Sequence, residues 1–158
     1  MRSEVQELID AVEEEADDID DLVDIVRDQR DAMMARDPEG VDDFMKEMRD
    51  VFFDVQTQEG LRDDMAKKMA ARWGCDPRVS SLAALMEEDE RALFNGAADR
   101  LTQSVFVLKS EILILNGLVD QNEKYTSMLL SEWRRLMGDA AGARSGFSAE
   151  AGAMDFRG

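Results

Sequence analysis

From Leu101 onward, apolar residues fall at steps that alternate four and three: Leu101, Val105, Leu108, Ile112, Leu115 and Val119. The same steps continue through Asn122, Thr126, Leu129, Trp133 and Leu136. Heptad spacing held over five repeats admits a long helix packed alongside other helices and little else. Gly138 ends the pattern. The start is less sharply marked, between Ser81 and Glu90, and Asn95-Gly96 offers either a kink or a later beginning.

The rest of the chain supplies partners for such a helix. Val5, Ile9, Val12, Ala16, Ile19, Val23, Val26 and Met33 keep a helical period from Ser3 to about Ala35, with Leu8 and Leu22 widening the stripe. Ser3 is placed to cap its start. The acidic run at 13–15 reads as solvated surface, and its self-repulsion leaves the helix dependent on tertiary packing. "RDPEG" at 36–40 breaks the period, with Asp37 as a cap and Pro38 at a first helical position. A second helix then runs to about Trp73 on a stripe that includes Phe44, Met48, Val51, Val55, Met65 and Met69, interrupted by Gln58 and Arg62. Gly74 suits its C-terminus, Pro77 follows, and "VSSLAALM" predicts a short helical turn. The expected fold is all-α: an antiparallel bundle of three long helices with coiled-coil-like packing, the final helix longest. Residues 1–138 form one domain, and 139–158, rich in Gly, Ala and Ser, a flexible tail with Phe147, Met154 and Phe156 as isolated apolar points.

Charge narrows the function. The chain's 158 residues carry a net charge of −17, which repels phosphate backbones and anionic lipid, so neither nucleic acid nor a membrane surface is an expected partner. The charge is uneven: 1–37 hold 14 acids and 4 bases (net −10), whereas 109–158 hold 7 and 6 (net −1). No apolar run approaches the roughly 20 residues of a membrane span, and no signal-peptide core opens the chain. Cys75 is the single cysteine, which rules out an intrachain disulfide and fits a reducing, cytosolic compartment.

Catalytic chemistry is hard to assemble from these residues. There is no histidine, so His-based acid–base catalysis, the usual Ser-His and Cys-His nucleophile pairs and a Glu-x-x-His di-iron site are all excluded. One cysteine makes no thiolate zinc site. "DIDDLVD" lacks the glycine turn of a calcium loop and continues a helix period. No phosphate-cradling glycine loop is present. Neither enzyme activity, metal nor cofactor is expected.

What remains is helix packing. Asn122 on the heptad and Asn116 on its flank either form a buried polar layer that fixes register, with Gln29 and Gln58 as partners, or meet the polar groups of an incoming helix. Trp73 and Trp133 fall on apolar stripes. Eleven methionines serve as core filler or as an adaptable binding surface.

The order of these features resembles the FlgN family of flagellar export chaperones over about residues 4–138. The resemblance rests on "AMMARDPEGVDDFMKEM", on "LRDDMAKKMAARWG", and on the asparagine-containing start of the last amphipathic segment from Asn116 to Leu130. It implies a small acidic cytosolic chaperone without ATPase activity. Its partners would be the C-terminal helices of hook–filament junction proteins, kept from premature assembly, and a component of the type III export gate. The client-binding residues it implies are Leu115, Val119, Asn122, Leu129, Leu130, Trp133 and Leu136. Family members often carry a Tyr-Gly element after the last helix, where this chain reads "LMGDAAGARSGF". The heptad stripe alone equally suits a self-associating structural coiled coil without a client, and it fixes no oligomeric state.

Overall fold

The structure, a computed structural model, describes residues 1–119 and 130–138; the expected tail, 139–158, lies outside them. All the elements described are helical: α1 (Ser3–Met34), α2 (Pro38–Trp73), α3 (Val79–Ala84), α4 (Glu88–Val119) and a helical segment at 130–138. Among the described residues α2 spans 36 residues and α4 spans 32; the residues that follow Val119, on which the expectation of a longest final helix depends, lie outside those described.

The helix ends follow from local chemistry. Asp37 accepts a hydrogen bond from the Gly40 N–H at 3.1 Å with Pro38 behind it, so α2 starts with one exposed donor satisfied and no donor wasted at its first position. Gly74 closes α2 at φ +70°, a left-handed conformation that costs glycine nothing. Ser3 does not cap α1. The N-cap is Arg2, and Ser3 is already helical, with its hydroxyl on Glu7. At the start of α4 the Glu87 N–H donates to the Glu90 carboxylate three residues on, at 3.1 Å, and the helix runs unbroken through Asn95-Gly96.

α1 is the centre of the assembly, with α2 and α4 packed against it. Ion pairs set the directions. Arg62 meets Glu15 and Arg72 meets Glu4, so α2 runs antiparallel to α1. Arg2 meets Glu90, Arg100 meets Asp17 and Asp20, and Arg27 and Arg30 both meet Glu111, so α4 runs parallel to α1. One continuous core lies between them, from Val5 and Leu8 at one end to Met33, Met45 and Met48 at the other.

Glu15, Glu59, Arg62 and Glu90 are charged residues buried in the bundle. Glu15 and Arg62 are each only 3 % exposed, and they pair across α1 and α2. Glu15 is therefore core rather than solvated surface. It sits three residues after Val12 and four before Ile19, on the buried stripe itself.

The N-terminal end is locked by Arg2. Its guanidinium lies 4.4 Å from the Trp73 ring centre and donates to the fully buried Glu90 at 2.8 Å. Trp73 in turn donates its indole N–H to Glu4 at 3.3 Å. The Arg2 hydrogen bond, reinforced by backbone N–H groups of Arg2 and Glu87, lowers the Glu90 pKa from 4.5 to about 2 against the opposing effect of burial. A depressed carboxylate pKa stabilises the fold above the ordinary value, and the gain disappears as pH falls through the folded one. Glu90→Gln should therefore melt below the parent at pH 7, with the gap closing between pH 4.5 and pH 2. An equal gap in thermal melts at both ends would show that the charge is not what matters.

Candidate functional site

The site suggested by the sequence lies where α4 outlasts α1. Leu101, Leu108 and Leu115 are buried along α4, with Val105 and Ile112 half-buried between them, so the heptad stripe faces the bundle as far as Leu115. The opposite face is bare. Phe106 is 64 % and Leu113 71 % exposed, and Ile114 is also exposed. With only Lys109 and Glu111 charged between Leu101 and Val119, α4 is long and apolar enough to cross a membrane by length and composition alone, at a mean hydropathy of 1.2. That differs from the sequence expectation, which counted unbroken apolar residues and not the average. The buried stripe is what a bundle helix requires.

Residues 130–138 do not lie on the extension of α4. Arg49 of α2 pairs with Glu132 at 2.7 Å. The antiparallel register fixed by Glu15–Arg62 and Glu4–Arg72 puts Arg49 level with about residue 28 of α1, which is also the level of Glu111. On a straight helix Glu132, 21 residues after Glu111, would stand about 30 Å further along, far beyond the reach of an arginine–glutamate pair. The segment instead packs back on the bundle where α1 ends and α2 begins. Trp133 is 2 % exposed there and Leu136 is buried, while Leu130 and Met137 pack against the core from its edge. Glu132 also accepts from Arg135 at 2.8 Å. The two guanidinium groups, Arg135 foremost, hold its carboxyl below the usual carboxylate range.

Of the seven residues expected to bind a partner, Leu115, Trp133 and Leu136 are thus core residues and Leu130 is half-buried. Val119 closes α4. Asn122 and Leu129 lie outside the described residues.

This end of the bundle is imperfectly satisfied. Gln29 is fully buried, and neither of its side-chain amide atoms has a hydrogen-bond partner among the described residues. The same holds for the buried Asn116 Oδ1 and the Trp133 indole N–H. The register puts Gln29 and Trp133 at nearly one level, and Asn116 little more than one turn above Glu111. The expected amide layer is therefore not formed between Gln29 and Asn116. A buried polar group left unpaired costs about 1–3 kcal/mol. At the other end Arg2, Glu90 and Trp73 each have a hydrogen-bond partner. The sequence pattern carried a signal for this asymmetry in Gln29, which sits among apolar stripe residues.

The chemistry of the site is apolar contact plus a few amide, indole and guanidinium groups, which suits helix recognition. Among the described residues no group of three or more acidic or thiol side chains is placed to hold a metal. Comparison with curated proteins and with solved structures gives no match. A family description, FlgN protein, matches residues 1–139. That span takes in every described residue, and the chain therefore belongs to the FlgN family.

Proposed function

We propose that this chain, whose family membership implies a flagellar export chaperone, binds the C-terminal helices of hook–filament junction proteins in the cytosol. It would prevent their premature assembly and aid their delivery to the type III export gate. The observation that carries the reading is the contrast within one chain: an acidic bundle of net charge −17 whose last third is nearly neutral and presents apolar helix surface. Junction-protein termini must polymerise through amphipathic helices, and covering those faces by reversible helix packing keeps them monomeric. The acidic remainder keeps the complex soluble.

The residues we propose for client binding are Leu115, Val119, Asn122, Leu129, Leu130, Trp133 and Leu136. Leu115 is buried within α4, and Leu130, Trp133 and Leu136 belong to the segment that Arg49 of α2 holds through Glu132. Release needs no nucleotide, because nothing covalent forms.

A second reading, self-association as a coiled coil, is favoured by the bare Phe106–Leu113 face of α4. Sedimentation separates the two. The chaperone reading expects a monomer across micromolar concentrations that shifts to a one-to-one complex with a junction protein. A concentration-dependent dimer that Phe106→Lys disperses, with no complex formed, would decide for self-association.

A further inference from the structure

We infer that residues 130–138 occupy a helix-accepting groove and are exchanged for a partner helix of matching chemistry; the identity of that partner rests on the chaperone reading. Four observations converge. The segment is seated away from the line of α4, on Arg49 of α2. It inserts Trp133 and Leu136 into the core. The bundle at that level is built from Met33, Met45 and Met48, side chains that refill readily around a different insert. The Gln29 amide and the Trp133 indole N–H are buried at that level without hydrogen bonds among the described residues.

The seated segment also states what the groove selects. Its apolar residues stand at Leu130, Trp133, Leu136 and Met137, steps of three, three and one along a helix. A carboxylate directly precedes the aromatic residue and meets Arg49. A competing helix therefore carries a large aromatic or aliphatic anchor, flanking aliphatic residues one turn either side, and an acid beside the anchor. In a chain this acidic, the exposed Arg49 guanidinium supplies the local complementarity that admits an acid-bearing helix. An amide or hydroxyl on that helix could also reach Gln29, which the indole does not. While 130–138 is seated, partner affinity is reduced by the fraction of time the groove is closed.

Two full-length variants open the groove without altering its walls: Trp133→Ala combined with Leu136→Ala, and the milder Glu132→Lys, which places two cations at the Arg49 contact. Each is checked for parent-like helicity. The first probe is a fluorescently labelled synthetic peptide of residues 128–138. The exchange mechanism expects the variants to bind it at least about 10-fold more tightly than the parent, whose own segment competes. Equal affinity, or no binding to any of the three, overturns the groove. The second probe is a junction-protein C-terminal peptide. Tighter binding to the variants supports exchange. Weaker binding means Trp133 and Leu136 touch the client directly, and overturns exchange. If the chain's own peptide binds but the junction peptide binds none of the three proteins, the groove stands and the chaperone reading falls.

Discussion

Arg62→Met is expected to destabilise the fold by about 3–5 kcal/mol, because it leaves the Glu15 carboxylate in the core without its guanidinium partner. The two side chains are each 3 % exposed and join α1 to α2 near the middle of their contact. For a chain of this length such a loss lowers the melting temperature by roughly 10 °C. Replacing both partners, Glu15→Met with Arg62→Met, should recover most of that loss, since an apolar pair of similar volume removes the desolvation penalty along with the attraction. The pair thus contributes less to stability than to the alignment of α1 against α2. Chemical denaturation of the parent, the two single variants and the double variant closes the cycle. A single variant within about 1 kcal/mol of the parent would show that water reaches the site.

Phe94→Ala carries the other large effect. Phe94 is 2 % exposed and shares a small enclosed space with Leu8 and Val12 of α1, Ala66 of α2 and Ala98 of its own helix. With Val79 of α3 also lining it, four helices meet there, so none can move in to fill the gap without leaving another contact. The expected cost is about 3–5 kcal/mol, for lost transfer energy plus the cavity left behind. Trp133 is equally buried, yet Trp133→Ala should cost the bundle much less, because its segment is seated on a core that α1, α2 and α4 complete. The loss there is local opening of 130–138 rather than global unfolding. Hydrogen exchange distinguishes the two: Phe94→Ala speeds exchange throughout α1, and Trp133→Ala does so only near the seat.

Helix boundaries were the most legible part of the chain. Asp37, Pro38 and Gly74 act locally, and local rules located them. Glu15 was misread because "EEE" was taken as a run. Its position on the Val12–Ile19 stripe, together with an arginine on the stripe of α2, was a readable sign of a buried pair. The return of 130–138 to the bundle was not readable. Heptad spacing tells which face of a helix is apolar, and it is unchanged when one part of that face packs on α1 and a later part packs beside α2. The candidate residues Leu115, Trp133 and Leu136 are therefore core residues that one stripe does not tell apart. Leu115 and Leu136 occupy equivalent steps of one pattern, but the first is buried within α4 and the second within the segment at 130–138.

The sharpest test of the whole account is a calorimetric titration of the full-length chain with a peptide spanning the C-terminal helices of a hook–filament junction protein. The account predicts one-to-one binding with a negative heat-capacity change, as apolar helix surface leaves water, and a shift of Trp133 fluorescence to the red, read in a Trp73→Phe background. No heat at peptide concentrations of tens of micromolar, with the protein folded and monomeric, would contradict it.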